Sequence, residues 1–202
     1  METSAGGQAR RRRLWGGWRQ QLLGLFEIQQ QHEFYSLTCM MREGLAAACR
    51  PTKTSSPTNE LTDEDYRSEV TQVHKGFTMA SYAGPVFSSL RASLLIPQLD
   101  YERSLCSERN YLQFISNSKS RADFFLTNDK RFFLKTQTKR EVQFLLTNLK
   151  IYMEHLREFP HSLLVKFLGT HTHTHTHTHT RTSEMFDSSS VEHVLILMSE
   201  SV

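Results

Sequence analysis

"YLQFISNSKSRADFFLTNDKRFFLKTQTKREVQFLLTNLKIYMEHLREF" runs from Tyr111 to Phe159. Three short apolar runs, "YLQFI", "FFL" and "RFFLKT", are separated by the polar stretches "SNSKSRAD" and "TNDK". That pattern predicts three strands joined by a loop and a tight turn. At Thr138 the apolar period changes. Val142, Leu145, Leu146, Leu149, Tyr152, Met153, Leu156 and Phe159 recur at helical spacing and predict one long helix. Beyond Pro160, "SLLVKFLG" (Ser162 to Gly169) is apolar and β-compatible. The expected order is three strands, a helix and another strand, an α+β arrangement with an antiparallel sheet from Tyr111 to Thr136 backed by the helix.

Upstream, "QLDYERSLCSERN" predicts a short helix. "YAGPVFSSLRASLLIPQ" predicts another, with Pro85 in its first turn, Val86, Phe87, Leu90 and Leu94 on one face, and Pro97 as its stop. "LTDEDYRSEVTQVHKGF" reads as an acidic helix ending near Gly76. "CRPTKTSSPTN" (Cys49 to Asn59), with Pro51 and Pro57 among Ser, Thr and Asn, is a linker. Before it, Phe34, Leu37, Met40, Met41, Leu45 and Ala48 share a helical face. A helix set off by a linker has two uses for such a face. It packs on a partner chain, or it packs back on its own domain. Gly44 marks either a close approach or a weak point.

The chain has 202 residues, 38% hydrophobic, with a net charge of +3. That suits one modest folded core with poorly ordered flanks. Cys39, Cys49 and Cys106 are widely spaced and suggest no disulfide framework, so a reduced, cytoplasmic setting is the expectation. No run is long enough to span a bilayer. Arg10 to Arg13 and Arg19, set among Trp15, Trp18 and Phe26, suit an anionic membrane surface or a solvated basic arm.

"THTHTHTHTHT" (Thr170 to Thr180) alternates two polar residues. A CA dinucleotide repeat is translated as alternating Thr (ACA) and His (CAC), so the tract needs no metal to explain it. It and the following tail are expected to be translated non-coding sequence. In an extended chain His171, His173, His175, His177 and His179 share one face, and adventitious transition-metal binding follows from that.

A lysine at the end of a third strand, followed by a helix with an early glutamate, is how the small lobe of a protein-kinase-like fold begins. There the lysine reaches nucleotide phosphates and the glutamate pairs with it. Lys135 and Glu141 are the candidates. A strand-end lysine exposed to water is the other reading of Lys135.

These residues resemble the phosphatidylinositol phosphate kinases. "SNSKSRADFFLTNDKRFFLKT" is similar to their nucleotide-binding segment, "DYERSLCSE" to their Asp-Tyr-x-x-Ser-Leu-Cys segment, and "YAGPVFSSLR" to the helix before it. The resemblance implies an α+β lipid-kinase fold, of which this chain holds a partial N-terminal lobe. The family activity it implies is ATP-dependent phosphorylation of phosphatidylinositol 4-phosphate to the 4,5-bisphosphate. It implies ATP-binding roles for Lys135, for the loop residues Ser118, Lys119, Ser120 and Arg121, and for Glu141. Arg121 stands where glycine lets backbone N–H groups approach phosphate. The likeness is expected to stop at Gly169, leaving out the catalytic and metal-binding segments, so no catalytic residue and no Mg²⁺ site are assigned and the chain is expected to be inactive. The expected parts are a basic arm (1–24), a dimerisation-like helical segment and linker (25–62), a partial kinase domain (63–169) and an unrelated tail (170–202). The implied partners are a phosphoinositide membrane surface, other phosphatidylinositol phosphate kinases and a second copy, with no nucleic acid. The implied location is cytoplasmic and peripheral to membranes. The alternative is a non-catalytic module that binds active phosphoinositide kinases.

Overall fold

The computed structural model describes residues 24–49, 61–115, 122–175 and 190–198. The basic arm and most of the linker lie outside that set. Among the described residues, eight strands form one antiparallel sheet and five helices pack on it. The strands are β1 (Leu25–Glu27), β2 (Glu69–His74), β3 (Phe77–Tyr82), β4 (Leu112–Phe114), β5 (Phe124–Leu126), β6 (Phe132–Gln137), β7 (Phe167–His175) and β8 (Ser190–Met198). The helices are α1 (Tyr35–Ala48), α2 (Asp63–Arg67), α3 (Gly84–Ser93), α4 (Gln98–Cys106) and α5 (Lys139–Glu158). Across the sheet the order is β1-β4-β5-β6-β8-β7-β3-β2.

The opening stretch folds as its pattern requires. β4, β5 and β6 are the three apolar runs. The turn "TNDK" is closed by Asp129, whose Oδ1 accepts from Thr127 Oγ1 (2.6 Å) and from the Arg131 N–H (3.2 Å). α5 starts at a capping box. Thr138 Oγ1 accepts from the Glu141 N–H, and the Glu141 carboxylate accepts from the Thr138 N–H, so two otherwise orphaned donors are satisfied. Val142, Leu145, Leu149, Met153 and Leu156 form its buried face.

Two apolar layers sandwich the sheet. α1 and α4 cover one face, where Met41, Leu45, Tyr101 and Leu105 meet Phe77, Met79, Phe125, Leu134, Val194 and Ile196. α3 and α5 cover the other, where Val86, Phe87, Leu90, Leu145 and Leu149 meet Leu195 and Leu197. β8 alternates between the two layers and is buried on both.

Four expectations change. First, "EVTQVHKGFTMASY" is a hairpin and only Asp63–Arg67 is helical. Gly76 turns the chain at φ +90°, a conformation that favours glycine. Second, α1 packs on its own domain. Met41 and Leu45 are fully buried, and a Cβ at Gly44 would overlap Met79 Sδ, so the glycine lets the helix lie close against β3. Of the two uses open to this face, packing back on its own domain is the one observed for Met41 and Leu45. Third, the strand expected in "SLLVKFLG" starts later and runs further than that segment. β7 begins at Phe167, runs on through the Thr-His tract to His175, and pairs with β3 on one side and β8 on the other. Strand and tract share a period of two, which puts His171 and His173 on the α1 side. Both are buried there, with His171 Nδ1 and Ser81 Oγ 2.9 Å apart. The shared histidine face exists, but within β7 it points into the core rather than to solvent. Fourth, the core is not bounded by Asp63 and Gly169. It takes in Leu25, Ile28, Met41 and Leu45 before that span and Val194 to Leu197 after it. The tail supplies a central strand, β8, between β6 and β7. His177 and His179 lie outside the described residues.

Candidate nucleotide site

Lys135 sits on β6, opposite Phe124 of β5 and Leu195 of β8. Phe114 of β4 is in turn opposite Phe124. One cross-strand row therefore reads Phe114, Phe124, Lys135, Leu195, on the sheet face that carries α5. The Phe114 ring meets Phe124 edge-on (centroids 6.4 Å apart) and Phe133 likewise (6.1 Å). Lys135 Nζ stands 5.9 Å from the Phe124 centroid, near the outer limit of a cation–π contact.

The lysine is held from the α5 side. Its Nζ is 3.8 Å from Glu141 Oε1, with 21% of the lysine side chain and 49% of the glutamate exposed. The two carboxylate oxygens of Glu141 do different work. Oε2 accepts from the Thr138 N–H and hydroxyl, both at 2.8 Å, which completes the helix cap. Oε1 is left to face Lys135. The cap's N–H bond to the carboxylate, then the Thr138 hydroxyl and the Lys135 charge, hold Glu141 below the usual carboxylate range against a modest burial effect. Gln137, with its amide oxygen turned toward Lys135 Nζ (2.8 Å) and its nitrogen toward both Glu141 oxygens (3.1 and 3.2 Å), links the pair. An ion pair this exposed adds little stability, on the order of 0–1 kcal/mol. Its use is to aim an ammonium group beside an apolar aromatic surface. That combination suits a ligand with an aromatic base and an anionic end.

Lys135 and Glu141, both singled out in the sequence, are therefore brought together. Ser118, Lys119, Ser120 and Arg121 lie outside the described residues. The aromatic row was not anticipated. Its members occupy separate apolar runs, and only the strand register shows that they align.

The motif "DYERSLC" serves as scaffold. Ser104 Oγ donates to Asp129 Oδ1 at 2.7 Å, tying α4 to the β5–β6 turn. Tyr101 packs under the Arg91 guanidinium at 4.3 Å, and Arg91 Nη1 donates to the Leu168 carbonyl at 2.7 Å, anchoring the start of β7. Among the described residues, no three His, Cys, Asp or Glu side chains converge as a metal ligand set. Among them, too, no helix is long and apolar enough to cross a membrane.

Residues 105–199 match the family model described as Phosphatidylinositol-4-phosphate 5-Kinase. The match runs through the Thr-His tract and β8, thirty residues beyond the point where the resemblance was expected to end. The chain is 49% identical over 154 residues to the human protein named Phosphatidylinositol 4-phosphate 5-kinase-like protein 1, and 48% identical over 155 residues to the mouse protein of that name. Each alignment covers 76% of this chain and 39% of the relative. Phosphatidylinositol 4-phosphate 5-kinase 3 of Arabidopsis thaliana is 38% identical over 95 residues, 47% of this chain and 14% of that protein. This chain thus spans well under half the length of the relatives it matches. Residues 105–199 thus carry a match to the phosphatidylinositol-4-phosphate 5-kinase family model, and the chain is similar to relatives that bear that name.

Proposed function

We propose that this chain supplies the nucleotide-anchoring part of a phosphoinositide kinase. Lys135 grips ATP phosphate, Glu141 and Gln137 orient its ammonium, and Phe114, Phe124 and Phe133 offer the apolar surface for the base. The observation that carries this is the 3.8 Å approach of Lys135 to Glu141 on the row shared with Phe124. A lysine point charge on a strand, steadied by a helix carboxylate, is the arrangement phosphoryl-transfer enzymes use to hold α/β-phosphates. Phosphatidylinositol 4-phosphate at a membrane surface is the acceptor that the relatives' names supply. The described residues offer no ligand set for Mg²⁺ and no step is routed through one. Phosphoryl transfer rests almost wholly on positioning and charge stabilisation. The 202-residue chain on its own is therefore expected to hold nucleotide and to turn over no lipid.

The alternative, a non-catalytic module that associates with active kinases, rests on the N-terminal helical region and on Arg121 in the loop. With Met41 and Leu45 inside the core, that helix is used within its own domain, so the nucleotide-anchoring reading is preferred.

Titration of the full chain with a fluorescent ATP analogue tests the proposal. Lys135→Met is expected to weaken binding at least tenfold, about 1.4 kcal/mol. Equal binding by wild type and Lys135→Met ends this reading. A labelled-phosphate assay on phosphatidylinositol 4-phosphate vesicles tests the second half. Turnover by the purified chain that Lys135→Met abolishes would restore catalysis to it.

A further inference from the structure

The row of residues at the candidate site has a direction. Phe114 and Phe124 lie on β4 and β5, Lys135 lies on β6, and the next strand is β8. A ligand whose base rests on the aromatic side and whose anionic end meets Lys135 therefore extends toward β8. Directly opposite Lys135 the way is closed, because Leu195 is buried in the cluster it shares with Leu145 and Leu149 of α5. The neighbouring position on the same face is open. His193 stands opposite Gln137, two residues along from Leu195, and is partly exposed. Lys135 and His193 are thus diagonal neighbours across an antiparallel pair, a separation of about 7–8 Å that long side chains span.

The imidazole is held from its other side. Its Nδ1 lies 2.8 Å from Oγ1 of Thr172, the buried residue opposite it on β7. That bond orients the ring and occupies one nitrogen. Among the described residues Nε2 has no hydrogen-bond partner. The groups around it are Lys135 and Gln137 on β6 and Lys139 and Glu141 in the first turn of α5. Glu141 is already engaged by the Thr138 cap and by Lys135, which leaves the corner cationic.

We propose that His193 is a second phosphate-binding residue of this site, so that Lys135 holds one phosphate of a nucleoside triphosphate and the His193 Nε2–H donates to the next. The inference rests on the nucleotide reading of Lys135 given above.

The Thr172 hydroxyl suits this role because it serves either state of the ring. It donates to Nδ1 when the neutral imidazole carries its proton on Nε2, and it accepts from Nδ1 when both nitrogens are protonated. Burial, then the Lys139 charge, holds the free imidazole below its ordinary value, so the ring is uncharged at neutral pH. A bound phosphate opposes both effects, since a negative charge beside the ring favours the imidazolium. Binding therefore draws a proton onto His193 as the pH falls, and affinity for the triphosphate rises with it.

Titration of the full chain with fluorescent analogues of ATP and AMP between about pH 6 and pH 8 tests this. His193→Asn keeps a polar atom near Nδ1 for Thr172 and deletes Nε2. It is expected to weaken binding of the ATP analogue about tenfold, the loss of one hydrogen bond to a charged acceptor. Binding of the AMP analogue and the melting temperature should not change. His193→Gln, which returns an N–H near Nε2, should recover part of the affinity. The rise in ATP-analogue affinity toward pH 6 should be larger in the wild type than in either variant. Lys135→Met separates this inference from the reading beneath it. If Lys135→Met weakens binding while both His193 variants match the wild type, the nucleotide reading stands and the role of His193 is overturned. If Lys135→Met binds as the wild type does, the nucleotide reading fails and this inference fails with it. Equal losses for the two analogues in His193→Asn, with no recovery in His193→Gln, would make His193 a structural residue and overturn the proposal as well.

Discussion

Ser104 Oγ donates to Asp129 Oδ1 at 2.7 Å, so a helix residue and a turn residue 25 positions apart form one joint. Asp129 also accepts from Thr127 and Arg131. These bonds offset the burial that would raise its carboxyl, and hold it below the usual range. Ser104→Ala removes a hydrogen bond to a charged acceptor, which is worth about 1.5–3 kcal/mol. A loss of stability in that range is expected by urea unfolding, with Asp129→Asn losing a similar amount. If Ser104→Ala leaves the midpoint unchanged, the joint bears no load.

Glu141 caps α5 with one oxygen and faces Lys135 with the other, and two substitutions separate these roles. Glu141→Gln can keep the capping box but drops the charge. It should weaken binding of an ATP analogue while the melting temperature barely moves. Glu141→Ala loses both roles and should cost about 1 kcal/mol of stability besides. Equal nucleotide affinity in wild type and Glu141→Gln would assign Glu141 to capping alone.

Acid should destabilise the fold. Burial first, then the His173 and Arg91 charges, pushes His171 down to about 3. Burial, then His175 and His74, pushes His173 down to about 4. Both are ordinary near 6.5 in the unfolded chain. Between those limits the unfolded state binds protons that the folded state refuses. The stability is therefore fully present above pH 6.5 and is lost as pH falls toward 3–4. The loss approaches about 1.4 kcal/mol per pH unit for each histidine. Asp123 and Glu192, both raised by burial, act with the opposite sign. A His171→Asn, His173→Asn chain should unfold over a narrower and more acidic range in a melting series from pH 7 to pH 4.

β8 is a central strand, and its loss should be global. Ile196→Asp places a charge in the core between β6 and β7, and a chain ending at Gly169 lacks both β8 and most of β7. Each is expected to lose the cooperative melting transition. Met41→Asp should do the same from the α1 side, where the residue is wholly buried. It is not expected to convert a dimer into a folded monomer. A folded, cooperative Gly169-terminated chain by circular dichroism would show that β8 is dispensable.

Much of the opening stretch was legible because its local signals agree. Turn residues bound the short strands, Thr138 and Glu141 box the helix, and Pro160 follows it. Legibility failed where burial and polarity part company. The β2 strand is an edge whose Val70 and Val73 stay exposed (55% and 83%), so it has no buried stripe to read. The preceding "TDED" is a strong helix start that drew the reading past its single turn. "HVLILM" alternates between two buried layers and shows no amphipathic period. β7 buries threonine and histidine, which composition assigns to solvent. At the site, a motif at the end of β6 announced Lys135. Phe114 and Phe124 became part of the site only through register, which no short window contains.

The Thr-His tract enters the sheet as β7, and that placement constrains how its gene is free to vary. Read as a CA dinucleotide repeat, the tract changes length by slippage in steps of two nucleotides, while the frame is kept only in steps of three. The smallest silent step is therefore six nucleotides, one Thr-His pair. A pair is also the repeat of a strand's two faces, so histidine stays on the α1 side and threonine on the α5 side however many pairs are gained or lost. Every other slip shifts the frame ahead of Val194 to Leu197 and replaces the strand that both layers need. The locus would then tolerate length alleles in whole dipeptides and lose the fold with all others.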